Sequence, residues 1–135
     1  MAHRSHVIAS QQRDQRHQAY LKAPVLAEKY PDIEELGVEM RYRDPEGKLT
    51  PSPQRRVFMG DMRAHFDFLC PLKDCEQGGF ELNAPIRRSL SDPRSSGSGQ
   101  ASCQGRRPRG GDKNRVCGLE MEYQAVISTK RRIAA

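Results

Sequence analysis

The stretch "LCPLKDCEQGGFEL", residues 69–82, sets Cys70 and Cys75 on either side of four residues. Pro71 follows the first thiol, and Gly78 and Gly79 follow the second. Two cysteines so spaced are separate structural thiols, part of a disulfide framework, a redox pair, or half of a metal site. The other two cysteines of the chain, Cys103 and Cys117, bear on the choice. The whole pattern is C-x4-C, twenty-seven residues, then C-x13-C.

Zinc takes soft anionic sulfur ligands in a tetrahedron, and four cysteines complete one. Ligand pairs are usually two to four residues apart. The first pair meets that spacing and the second does not, so the rest of the support has to come from strand parity. From Phe58 to Cys70, the residues Phe58, Gly60, Met62, Ala64, Phe66, Phe68 and Cys70 share one face, and Asp61, Arg63, His65 and Asp67 share the other. Gly60 with Asp61 marks a bulge or turn that splits this run. A final strand beginning near Arg115 sets Cys117, Leu119, Met121, Tyr123 and Ala125 on one face. If these two strands pair antiparallel, Cys70 and Cys117 meet at one edge of the core. Cys103 ends a short strand in "ASCQG", just before a hairpin-like loop whose far side opens with Cys117, and Cys75 is tethered to Cys70. All four thiols then converge. Gly78, Gly79, Gly105 and Gly118 sit beside them, where left-handed turns would aim backbone N–H groups at sulfur.

Three other readings compete. Four unrelated buried thiols are possible because free cysteine is a common small core residue. Disulfides persist in oxidising compartments, whereas "MAHRSHVIASQQRDQRHQAY" lacks the apolar run of roughly 7–15 residues of a secretory leader. No stretch approaches the roughly 18 apolar residues of a membrane span. The expectation is a soluble, cytoplasmic protein with reduced thiols. A redox pair would use C-x-x-C spacing, which Cys70 and Cys75 do not have. A structural Zn²⁺ on Cys70, Cys75, Cys103 and Cys117 is the reading that uses all four.

Over residues 66–123 this layout resembles zinc-ribbon-like domains, in which two cysteine-bearing turns at the ends of antiparallel strands share one metal. It is also similar to small uncharacterised bacterial proteins with a C-x4-C and two later cysteines. Both spacings depart from those of the ordinary ribbon, and the resemblance carries over no function.

The rest of the chain is lean. Leu, Ile, Val and Phe make up 24 of its 135 residues, and there is no Trp. That fraction lies just under the roughly 20 per cent below which a charged chain struggles to build a core. Residues 1–31 read as an N-terminal helical segment, interrupted at Pro24 and restarting in "APVLAEKYP"; its face with Arg13, Arg16 and His17 reads as solvent-exposed. Residues 32–128 read as a single α+β domain. In "LGVEMRY", Leu36, Val38, Met40 and Tyr42 alternate as in a half-buried strand. Asn83, with Pro85, reads as the start of one short inserted helix carrying Ile86 and Leu90 on its apolar side. Flexible loops are expected at 92–100 and 105–115, and a basic tail at 129–135.

Between Arg87 and Arg115 eight basic residues face two aspartates, an excess equal to the net +6 of the whole chain. Arg106, Arg107, Arg109, Lys113 and Arg115 form the candidate nucleic-acid-binding set, since arginine forks suit phosphate. A ribosomal RNA surface is one acidic partner of that kind. The competing reading is a solvated loop, and no aromatic residue interleaves there to stack on bases. No nucleophile elbow, phosphate loop or paired-histidine motif is present. The zinc-deaminase pattern is also absent, and His65, of opposite strand parity to Cys70, is expected to face solvent. The chain therefore reads as a zinc-binding interaction or adaptor module with an unknown protein partner. Nucleic-acid binding is the alternative, and a thiol or metal-dependent enzyme without identifiable catalytic residues comes last.

Overall fold

A strand whose every second side chain is apolar buries one face and leaves the other to solvent. Leu36, Val38, Met40 and Tyr42 do this in β1 (Ile33–Arg43), where all four are buried. The computed structural model describes residues 14–45, 47, 50–92, 97–109 and 112–130, leaving aside the side chains of 107–109 and 112–114. Within these the fold is α+β.

The described part of helix α1 is residues 14–22, followed by the one-turn helix α2 (Leu26–Lys29). The inserted helix α3 spans Asn83–Ser91, with Ile86 and Leu90 buried as the sequence predicts. The remaining strands are β2 (Gln54–Met59), β3 (Asp67–Leu69), β4 (Gly79–Glu81), β5 (Ser98–Ser102), β6 (Arg106–Arg109), β7 (Asp112–Val116) and β8 (Glu120–Thr129). An antiparallel sheet runs in the order β2-β1-β8-β5; β3-β4 and β6-β7 form two separate two-stranded ribbons. β1 pairs with β8 so that Leu36, Val38, Met40 and Tyr42 oppose Ile127, Ala125, Tyr123 and Met121. The apolar sets therefore share a face, and α3, β3 and β4 supply Ile86, Leu90, Phe68 and Phe80 to the core it joins. Phe66, fully buried, packs edge-to-face on Phe58 with ring centroids 5.0 Å apart. Among the described residues no helix is long and apolar enough to cross a membrane.

Several expectations are corrected. The run from Phe58 to Cys70 is broken where Gly60 and Asp61 suggest. β2 stops at Met59, whose carbonyl accepts the Met62 amide at 3.0 Å, and α2 claims the Gly60 carbonyl through the Ala27 amide at 2.9 Å. Met62, placed by parity in the core, is exposed because it lies in this turn. Asn83 does not cap α3; its Oδ1 instead accepts the Phe66 amide at 2.7 Å. The expected loop 105–115 is largely the β6-β7 ribbon, and 98–100, expected as loop, belong to β5. The final strand does not run through Cys117: β7 ends at Val116, and β8 starts at Glu120 and continues to Thr129, the first residue of the expected tail. Residues 1–13, 93–96, 110–111 and 131–135, on which parts of those readings fall, lie outside the described residues.

Candidate metal centre

Each half of the cysteine set is fixed by backbone hydrogen bonds. The residues from Cys70 to Gly78 close the β3-β4 hairpin, whose register pairs Leu69 with Gly79. Within this turn the Cys70 amide donates to the Gly78 carbonyl at 3.4 Å and the Cys75 amide to the Leu72 carbonyl at 3.2 Å. Leu72 is buried and ties the turn to the core, and Gln77 takes the left-handed conformation at φ 59°. The second half straddles the β6-β7 ribbon. Here the Cys103 amide donates to the Leu119 carbonyl (2.9 Å), the Gly118 amide to the Cys103 carbonyl (3.2 Å), and the Cys117 amide to the Gly105 carbonyl (2.7 Å). The halves are stitched together by an antiparallel bridge in which Glu76 and Arg106 exchange amide–carbonyl bonds of 2.7 and 2.9 Å.

The expected convergence occurs by a different route. β3 does not pair with β8; its hydrogen-bonded partner is β4. Cys70 and Cys117 meet because the hairpin turn and the root of the ribbon are bridged side by side, not because neighbouring strands align their ends. The result is nonetheless one cluster. The Sγ atoms of Cys70, Cys75, Cys103 and Cys117 all lie within 4.8 Å of one another. The Cys70–Cys117 separation is 3.9 Å and that of Cys75–Cys103 is 3.7 Å, and none of the four is in a disulfide. An ion bound to four sulfurs at about 2.3 Å sets neighbouring sulfurs about 3.8 Å apart. Cys103 and Cys117 are fully buried, and Cys70 and Cys75 are half-buried.

Space around the sulfurs is made by missing side chains. A Cβ on Gly78 would collide with Cys75 Sγ and stand 2.5 Å from Cys103 Sγ; one on Gly105 would be 2.6 Å from Cys75 Sγ. The glycines matter here for close approach. Of the four noted from sequence, only Gly118 is left-handed, at φ 69°. The Gly105 amide does point at sulfur, donating to Cys103 Sγ at 3.4 Å.

Crowding four thiols together splits their acidities. The Cys70 S–H directed at Cys103 and the Gly105 amide hold Cys103 down at about 5, against the opposing effect of burial. Cys70, as the donor to Cys103 and being partly buried, is driven far above the ordinary thiol range. Burial, then the negative charge of Cys103, pushes Cys75 up to about 12. Tyr42 is raised too, by burial and then by the charge of Cys70. Thiolates that oppose one another this closely suit a soft cation, which relieves the opposition and is the kind of ion thiolates prefer.

No protein-family model, curated protein or solved structure matches this chain. The metal-binding arrangement therefore stands on its own geometry.

The remaining candidates separate from the cluster. His65 is half-buried rather than solvent-facing: its ring meets Tyr20 edge-on at 6.2 Å, and Nδ1 lies 3.5 Å from Asn83 Nδ2. It is not among the grouped metal-ligating residues. Arg106, Arg107, Arg109, Lys113 and Arg115 all fall on the β6-β7 ribbon, whose register pairs Arg106 with Val116, Arg107 with Arg115 and Arg109 with Asp112. Arg16, read from sequence as part of an exposed helix face, reaches across the fold to donate to the Gly78 carbonyl at 3.4 Å. Sixty-two residues separate the two, and no local pattern signals such a contact.

Proposed function

We propose that Cys70, Cys75, Cys103 and Cys117 bind one Zn²⁺ as a closed, structural site, and that the protein is a zinc-ribbon-like interaction module working in the reducing cytoplasm. The observation that carries this reading is the four-sulfur cluster, with edges of 3.7 and 3.9 Å that suit a tetrahedron around one ion. Sulfur-only tetrahedra belong to zinc or iron, and an iron centre would colour the protein. Four protein ligands leave no position for a reacting water, which favours a structural over a catalytic role. The ion would join chain segments 47 residues apart in a protein with a lean core. Native mass spectrometry of the protein made in a reducing cytosol tests this: a colourless chain carrying one zinc is expected, with Cys103→Ser losing it. A folded chain that binds no metal and titrates as four reactive thiols would overturn the reading.

A second reading assigns the partner as nucleic acid. What favours it is the placement of the basic ribbon: β6 starts at Arg106, three residues after Cys103, and β7 ends at Val116, directly before Cys117. A two-stranded ribbon rooted in a metal centre presents backbone and arginine to a phosphate surface from a fixed base. Its binding would weaken steeply with salt. A labelled-RNA or DNA shift that is lost in the Arg106→Ala, Arg107→Ala, Arg109→Ala triple variant supports it, and no shift at low salt removes it.

A further inference from the structure

Of the nine described residues of α1, eight are exposed and Arg16 is half-buried. A helical segment with no buried apolar residue among those described is held to the domain by polar and aromatic contacts. Among the described residues they lie at two points. Towards its end, Tyr20 meets the ring of His65 and carries the Arg63 guanidinium over its face at 5.8 Å. One turn earlier, Arg16 reaches the cysteine turn. Its Nε lies 3.5 Å from Asp67 Oδ2, and its Nη2 donates to the Gly78 carbonyl. The guanidinium rests against Gly79, where a Cβ would stand 2.8 Å from Nη2 and 3.2 Å from Nη1.

Each group that Arg16 touches is bound to the position of the ligands. Gly78 is wedged against the sulfurs of Cys75 and Cys103, and its carbonyl also accepts the Cys70 amide. Asp67 lies three residues before Cys70, with Oδ1 buried and without a partner. Its pairing with Arg16 therefore compensates a carboxylate that is costly to leave alone. Four thiolates around a divalent ion also leave a net charge of about −2, which favours a guanidinium at the edge of the site.

Resting on the metal-centre reading above, we infer that α1 is a metal-dependent latch. An ion in the four-sulfur site fixes the Cys70–Gly79 turn, and the turn fixes the Gly78 carbonyl and Asp67. Those two groups hold Arg16, and with it the helix. Without the ion, only thiol contacts and the Glu76–Arg106 bridge join Cys70 and Cys75 to Cys103 and Cys117, the turn loosens, and the helix lets go. Because coupling is reciprocal, docking of the helix tightens metal binding in turn.

Amide hydrogen exchange of the full chain tests the latch, with one equivalent of Zn²⁺ and after chelation, using β1 and β8 as reference. Amides of residues 18–22 should exchange at least about tenfold faster without zinc, the scale of losing one charge-assisted hydrogen bond. Arg16→Gln in the zinc-loaded protein should give the same acceleration confined to α1, and should weaken zinc binding several-fold. The second arm decides the matter if the metal-free chain loses protection throughout. Zinc bound at one equivalent with unchanged exchange at 18–22, or Arg16→Gln freeing the helix at unaltered zinc affinity, overturns the latch while leaving the metal centre intact. A chain whose mass shows no bound zinc overturns the metal centre, and the latch with it.

Discussion

Gly105 stands so close to Gly78 that a Cβ on Gly105 would lie 2.5 Å from the Gly78 Cα and 2.7 Å from its amide nitrogen. The two glycines come from the two halves of the cysteine set, and their contact lets the Glu76–Arg106 bridge form beside them. A methyl on Gly105 would strike backbone and ligand sulfur, and one on Gly78 would strike two ligand sulfurs, none of which can swing aside. Gly78→Ala should therefore cost about 2 kcal/mol or more, within the range for overpacking a tight site, and should reduce bound zinc below one equivalent. Gly47→Ala is the contrast: at φ 67° it has no heavy atom within 4 Å. It should cost about 1 kcal/mol through backbone strain alone and keep its zinc. Denaturant melts with metal analysis of the same samples check both.

Removing the proposed zinc ion should be felt as the loss of a cross-link. Cys70 and Cys117 are 47 residues apart, and closing a loop of that length contributes about 4 kcal/mol in the chain-entropy account. Chelation should lower the melting temperature by about 10–20 °C for a domain of this size. Cys103→Ser should melt in the presence of zinc much as the chelated protein does, because a hydroxyl at a fully buried ligand position breaks the tetrahedron. Differential scanning calorimetry with and without chelator separates the two effects.

The convergence of the cysteines was legible because apolar alternation and burial go together: Phe66, Phe68, Leu119 and Met121 are buried where parity puts them. The path by which they converge was not. A strand of three residues such as β3 can pair with whichever neighbour a turn delivers, and the turn carrying Cys75 delivers β4. The β6-β7 ribbon reads as loop because "RRPRGGDKN" has neither alternation nor the β-branched residues of a strand. Its pairing continues from the cysteine root and the Glu76–Arg106 bridge, both of which are tertiary. The roles of Arg16 and Gln77 are illegible in the sequence for a related reason. One acts across 62 residues, and the other takes the left-handed conformation that sequence assigns to its glycine neighbours.

In the metal-free protein, stability should rise and then fall with pH around the cluster. Cys103 is held at about 5, below the ordinary thiol value of 9.0, so its contribution is full above pH 9 and is lost as pH falls towards 5. Cys75 is pushed the other way, to about 12, so its contribution is full below pH 9 and is lost as pH rises towards 12. The two together place the maximum near pH 9. Thiolate absorbance of the chelated protein should show one step near pH 5 that Cys103→Ser abolishes. Chemical melts of both proteins between pH 5 and 11 should show the acid-side loss in the parent and its weakening in the variant.

Asn83 offers a test of how the cysteine hairpin is held to the core. Its Oδ1 accepts the Phe66 amide at 2.7 Å, and the Leu82 amide donates to the Phe66 carbonyl at 2.7 Å. The residue just ahead of β3 is thus clamped on both sides by the residues where α3 begins. Asn83→Ala removes one clamp and leaves the Phe66 N–H of a fully buried residue without its acceptor, at a cost of about 1–3 kcal/mol. Because the amide makes no cap bond to α3, helix content should be unchanged while Phe66 exchanges faster. Circular dichroism and amide exchange together distinguish this from loss of a helix cap, in which the first turn of α3 would fray and the Phe66 amide would stay protected.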